Sequence, residues 1–332
     1  MIWLTWRQFR AQAAVSCGAI AVLAAALAAT GPQLSRHYRA DPGRFLSGVS
    51  GADSTLYLVS ALAVLAVPVI IGLFWGAPLV TRELDAGTHR LAWTLTTRTR
   101  WLLAKLSLTG LAAIAAGGLL SLSVTWWASP IDAAIAGARG LPGPGLLVFT
   151  RLSREIFDSR GIVPLGYSAF AFVLGVTVGV LTRRTLPAMA LFLPAFIAAQ
   201  VVMAVGVRPA LIAPEHLTTT ITTANLLSVN VADSITVVID RPGAWITAER
   251  TVNAAGQPAR APAAVMNCIL SAGPGRATRA CLTRLARLGY RQQVSYQPAG
   301  RFWALQRAET VIYLAAALLL AGLCTWLIRR RS

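Results

Sequence analysis

The chain has 332 residues, 56% of them hydrophobic and 13% charged, and several runs of eighteen or more residues lack Asp, Glu, Lys and Arg. Runs of that length cross a hydrocarbon core of about 30 Å as helices, because only a helix or a closed barrel satisfies its own backbone in lipid. A water-soluble globular chain is thereby excluded. The net charge of +18 would suggest nucleic acid in a soluble protein, but the basic residues lie mostly between the apolar runs, where they set orientation. The expected surroundings are a lipid bilayer, with no nucleic-acid partner.

In chain order, the N-terminal MIWLTWRQFR interleaves Trp3, Trp6 and Phe9 with Arg7 and Arg10, which suits a short interfacial helix; a secretory signal peptide ending near Ala26-Leu27-Ala28 is the alternative. Six spans follow, over 11–30, 55–80, 106–128, 162–182, 187–207 and 310–328. The expected fold is an all-α polytopic membrane protein of six transmembrane helices with a small α+β extracytoplasmic insert between helices five and six. Residues 1–207 carry the first five helices and a charged loop at 81–105, residues 208–307 form the insert, and residues 308–332 form the last helix and a basic tail.

Basic residues orient the chain. With the N-terminus inside, the inner pieces hold 12 basic residues in 43, against 18 in 156 outside, and Arg183-Arg184 and Arg329-Arg330-Arg331 abut span ends on the inner side. Both termini are therefore expected in the cytoplasm of a cell-membrane protein. The outer segment has a β-branched run, Ile235–Ile239, turns at 241–243 and 255–258, and a helix expected over 277–288. Cys268 and Cys281 lie there on the oxidising side, and we expect a structural disulfide between them worth about 3 kcal/mol in the loop-entropy model; Cys17 and Cys324 lie in spans.

Within the spans, Gly72/Gly76 and Gly175/Gly179 recur four residues apart and permit close helix packing, either internally or between subunits. Pro68, Pro78 and Pro194 are positioned to kink or end helices. No ionisable residue is expected deep in a span. Gln200 reads as an interhelical hydrogen-bond partner, Glu309 as a water-reached span end, and the charges of 130–161 (Asp132, Arg151, Arg154, Glu155, Asp158, Arg160) as a solvated connecting helix rather than an enzyme site. That disfavours a proton-driven carrier. The only lysine, Lys105, stands outside any Gly-Lys-Ser/Thr loop, so the chain has no nucleotide-hydrolysing P-loop; His37, His89 and His216 form no metal-ligand spacing, and no catalytic residue or metal site is expected.

The stretch TRELDAGTHRLAWTLTTRTRWLLAK, residues 81–105, carries seven charges between two charge-free spans. It is too polar for lipid and fits short helices along the inner membrane face, broken at Gly87. Its Glu, Gly-Thr, turn and basic residue before the third span resemble the first cytoplasmic loop of permease subunits of type 2 ABC exporters. The six-span plan is similar too, and stretches such as GTHRLAWT (87–94), RGIVP (160–164), RRTLPA (183–188) and YQPAGRFW (296–303) resemble actinobacterial permeases of this kind. The resemblance implies a coupling helix that docks on a separate ATPase subunit, with Glu83, Gly87 and Thr88 matching the motif and Arg82 and Arg90 beside them in the contact. It also implies ATP and Mg on that partner, no cofactor on this chain, a second permease copy, and outward movement of an amphipathic or hydrophobic substrate. The long outer insert departs from the common plan. The alternative is a membrane sensor that binds a ligand through 208–307.

Overall fold

A computed structural model describes residues 2–85, 98–137, 150–229, 235–271 and 276–330. Among them six helices are long and apolar enough to cross a membrane: Gly18–Ala40, Gly51–Thr81, Arg100–Gly137, Val163–Thr182, Thr185–Leu211 and Ala299–Arg330. The first element, α1 (Ile2–Ala40), is one continuous helix, so the Trp- and Arg-bearing lead is its beginning and not a separate interfacial helix. It also runs ten residues past the expected end at Thr30. Polar and basic side chains end an apolar run without ending a helix, and His37 and Arg39 in the last turn suit the negative end of the helix dipole.

Helix α2 (Gly51–Ile70) begins where the Ser50 hydroxyl accepts the Asp53 backbone N–H at 3.0 Å and donates to the Asp53 carboxylate at 2.7 Å. Three residues after Pro68 the chain widens into a π-helical segment, Ile71–Gly76, and narrows again into α3 (Ala77–Asp85). Proline removes the backbone donor that would hold the preceding turn, and the wider turn takes up the mismatch. Helix α4 (Arg98–Gly137) crosses back with Pro130 inside it, and a one-turn α5 (Arg154–Phe157) leads to α6 (Val163–Thr182).

Helix α6 is the hub. In its most apolar stretch 67% of residues are buried, against 17–44% in the other five spans, so it is enclosed by protein and not by lipid. It ends at Arg183, whose left-handed backbone (φ 57°) sends its N–H back to the Gly179 carbonyl and turns the chain at once into α7 (Thr185–Val202). A second π segment, Met203–Val207, and a final turn, α8 (Arg208–Leu211), complete that span.

The strand-bearing region follows. Strands β1 (Glu215–Thr219), β5 (Arg291–Gln297) and β4 (Trp245–Val252) form an antiparallel sheet in that order, while β2 (Leu226–Val229) pairs with β3 (Ile235–Val237). Two helices, α9 (Ala263–Ser271) and α10 (Arg276–Arg287), bury Val265, Met266, Ile269, Leu282 and Leu285 with Val294, Ile235 and Val237. A disulfide joins Cys268 to Cys281 across a Cα separation of 5.9 Å. The chain then enters α11 (Phe302–Arg330), the last span. Gln297 and Arg301 reach back to the carbonyls of Ile212 and Ala213 at 2.5 and 2.7 Å, and Arg301 pairs with Glu215 at 3.0 Å. Entry to and exit from the region are thus tied together at one end of the helix bundle.

Candidate functional site

At the end of the bundle away from the strands, α3 and the π segment lie against α6 along a seam of small residues. A β-carbon on Gly175 would fall 2.4 Å from the Gly72 carbonyl oxygen, and one on Gly76 would fall 2.5 Å from that of Phe172. Gly179 meets the Ala77 carbonyl and the Thr81 side chain in the same way. The glycines therefore bring two backbones of this one chain into contact. One turn on, the Thr81 and Thr185 hydroxyls share a hydrogen bond at 2.8 Å, joining α3 to the start of α7.

That seam leads to the charged loop. Arg82 and Glu83 lie on the backbone of α3, while Gly87, Thr88 and Arg90 fall outside the described residues. Beyond the loop, α4 starts at Arg98 and buries Lys105, whose ammonium sits 4.8 Å from the Trp101 ring centroid. Cys324 of α11 lies 3.1 Å from the Thr177 hydroxyl, a buried thiol beside the same stretch of α6.

The other end of α6 carries what the sequence reading missed. Arg208, at the last turn of the fifth span, makes two parallel bonds to Glu309, Nε to Oε2 at 2.7 Å and Nη2 to Oε1 at 2.8 Å, and Nη2 also donates to Asp158 Oδ1. The Tyr167 hydroxyl lies 2.5 Å from Glu309 Oε1 and 2.8 Å from Asp158 Oδ1, and its single proton serves one of them at a time. Beneath, the guanidinium rests 4.4 Å from the Phe157 ring centroid, and its Nη1 has no hydrogen-bond partner among the described residues. Beside this cluster, Arg160 pairs with Asp132 at 3.4 Å over the Tyr57 ring, and the Tyr57 hydroxyl donates to Asp132 at 3.2 Å.

Three expectations fail here. Glu309 is not reached by water, being 0% exposed; Asp132 and Arg160 are 9% and 0% exposed, so the charges of 130–161 do not all belong to a solvated helix; and ionisable groups do lie inside the bundle. The reason is common to all three. Asp132 and Glu309 stand on helices that continue past their apolar runs, Arg160 stands in the turn before α6, and neighbours supply each with an opposite charge. Desolvating a carboxylate costs several kcal/mol, so burial requires such pairing. The Asp158 carboxyl is pushed above the ordinary carboxylate range by burial, with Arg208 acting in the opposite direction.

Uncharged groups lock the same place. Gln306 of α11 accepts the N–H groups of Ile162 and Val163, each at 2.9 Å, and so caps α6 from a different helix. Gly161 has φ 68°, and a β-carbon there would meet the Gln306 amide oxygen at 2.7 Å. Its N–H donates to Thr125 and its carbonyl accepts from Ser121, both at 2.8 Å. The sequence signal for this site was the stretch Arg160–Pro164 together with Gln306 and Glu309, three residues apart on one helix face. Gln200 does make an interhelical bond, accepting from the Tyr313 hydroxyl. No group of metal-ligating side chains occurs among the described residues.

Chemically, the arrangement holds rather than reacts. Arg208 leads into the strand-bearing region, Asp158 and Arg160 belong to the segment before α6, and Glu309 belongs to the last span, so one cluster ties three otherwise separate parts. Helix α6 links it to the glycine seam at the opposite end. Residues 17–208, more than half of the chain and ending where the strand-bearing region begins, match the family described as ABC-2 membrane transporter related. No curated protein and no solved structure matches the chain. The chain is a multi-pass membrane protein that belongs to the ABC-2 membrane transporter related family, the membrane subunits of transporters.

Proposed function

We propose that the chain is the permease of an ATP-driven exporter in the cell membrane, with both termini cytoplasmic. A separate ATPase subunit, carrying ATP and Mg, docks on loop 81–105 through Arg82, Glu83, Gly87, Thr88 and Arg90. Its closure pushes α3, and the push moves an amphipathic or hydrophobic substrate outward through a pair of permeases. The observation that carries this reading is the backbone seam of Gly72, Gly76, Gly175 and Gly179, which continues from α3 at the edge of the loop into the most buried helix. Close-packed backbones transmit displacement with little compliance.

The buried carboxylates remove one argument against a proton-driven carrier. All three are already engaged, Asp158 and Glu309 by Arg208 and Tyr167 and Asp132 by Arg160 and Tyr57, so the ATP-driven reading stands on the family and the seam. The test is transport in reconstituted vesicles by the chain together with an ATPase that co-purifies with it. Transport should require ATP and survive a protonophore; transport without ATP that a protonophore abolishes would overturn the proposal.

A further inference from the structure

The oxygens around Arg208 are one hydrogen short. Asp158 Oδ1, Tyr167 Oη and Glu309 Oε1 form a chain with separations of 2.8 and 2.5 Å, and Arg208 Nη2 lies within hydrogen-bond distance of all three. Two oxygen–oxygen contacts need two hydrogens. The phenol brings one, so the other sits on a carboxyl. The distances place it: an O–H bonded to a carboxylate is the shorter kind, so Tyr167 donates to Glu309 at 2.5 Å and the Asp158 carboxyl donates to Tyr167 at 2.8 Å. Charge gives the same count. One guanidinium, 2% exposed, faces the carboxyls of Glu309 and Asp158, 0% and 19% exposed, and it balances only one of them as a carboxylate. The neighbouring Arg160 and Asp132 balance each other.

From this geometry we infer that Asp158, Tyr167 and Glu309 form a proton-binding site, whose one proton locks the strand-bearing region to the helix bundle and whose loss loosens that joint. Without the proton, two carboxylates repel across the site and Tyr167 can serve only one of them. The strand-bearing region rests on the bundle at the same place. Trp245 of β4 packs against the core that holds Phe157 and Phe302, and a β-carbon on Gly243 would lie 3.3 Å from that of Ala136, near the end of α4. The other polar groups nearby are committed: Tyr313 of α11 meets the Tyr167 ring edge-on at 4.7 Å but donates to Gln200, and Arg160 is held by Asp132. Asp158 is the port, as the member of the cluster that water touches. Helix α6 has no other titratable side chain and α7 has none, so the proton returns to the water it came from and is not carried across. The posture of the region thereby follows the pH on its own side of the membrane, whichever energy source drives transport.

The test is amide hydrogen exchange of the full chain in nanodiscs, followed around Asp158 and Arg208 and corrected for the intrinsic effect of pH on exchange. In the parent, exchange there should quicken as pH rises above the ordinary carboxylate pKa of about 4, approaching roughly tenfold per pH unit until the site has lost its proton. Asp158→Asn, whose amide donates to Tyr167 at every pH, should keep the slow rate and lose the dependence. Infrared spectra of the parent at about pH 5, above the ordinary carboxylate value, should show a protonated-carboxyl band that Asp158→Asn removes and Asp132→Asn leaves in place. Parent exchange that ignores pH, or the same pH response in Asp158→Asn, would overturn the inference. So would a band that survives Asp158→Asn or that only Asp132→Asn removes.

Discussion

Arg208 and Glu309 form a buried ion pair across 101 residues of sequence, with Nε–Oε2 at 2.7 Å and side chains 2% and 0% exposed. The pair joins the end of the fifth span to the sixth at the point where the strand-bearing region leaves the bundle. Removing Glu309 leaves the buried Arg208 guanidinium without its bidentate partner and with Asp158 alone to balance its charge. Glu309→Ala should therefore lose about 3–5 kcal/mol of unfolding free energy in detergent, while Asp158→Asn/Arg208→Met/Glu309→Leu, which leaves no unpaired charge in the cluster, should recover much of that loss. A loss under about 1 kcal/mol in the single variant would mean that water reaches the site.

Asp158 gives the same cluster a pH signature. Its carboxyl is raised by burial, so the folded protein keeps that proton to a higher pH than the unfolded chain does. The contribution of this group is fully present below the ordinary carboxylate pKa of about 4 and is lost as pH rises through the folded value. Measured against Asp158→Asn, the parent should decline in relative stability as pH rises above about 4. A difference that stays constant as pH rises from about 4 would contradict the shift.

The glycine seam predicts a contrast between equivalent substitutions. Gly175→Ala places a methyl 2.4 Å from a backbone oxygen, which no side-chain rotation relieves, whereas Gly322→Ala on α11 meets nothing within 4 Å. The first should lower stability by about 1–3 kcal/mol and impair transport; the second should leave both near the parent level. Thermal midpoints in detergent and transport in vesicles provide the comparison.

Cys268 and Cys281 enclose Arg276 and Arg279, so trypsin can cut between them. Non-reducing digestion should release peptides that stay joined until reductant is added. Cys268→Ser/Cys281→Ser should make the strand-bearing region more protease-sensitive by about 3 kcal/mol of lost constraint, with the spans unchanged.

Much of this architecture was legible in the sequence, and what was not has a physical explanation. Charge-free runs located the six spans, because lipid tolerates little else, and the β-branched run Ile235–Ile239 and the helical pattern over 277–288 located a strand and a helix of the insert. The same charge-counting hid the buried cluster. Asp132, Asp158, Arg160, Arg208 and Glu309 all border apolar runs, so each read as the start of water; only the fold shows that they meet one another. Pairings across 28, 50 and 101 residues are tertiary facts that no local pattern encodes. The glycine spacing announced close packing without naming the partner surface, and within this chain Gly76 and Gly175 face each other.

The central claim is that a partner ATPase drives this chain through loop 81–105. The direct measurement is ATP hydrolysis by the co-purified complex in lipid, comparing the parent with Glu83→Arg. The account predicts that the variant inserts and folds like the parent but loses at least tenfold of both partner binding and permease-dependent hydrolysis, a tenfold loss of binding being about 1.4 kcal/mol. Unchanged binding, hydrolysis and transport in Glu83→Arg would contradict it.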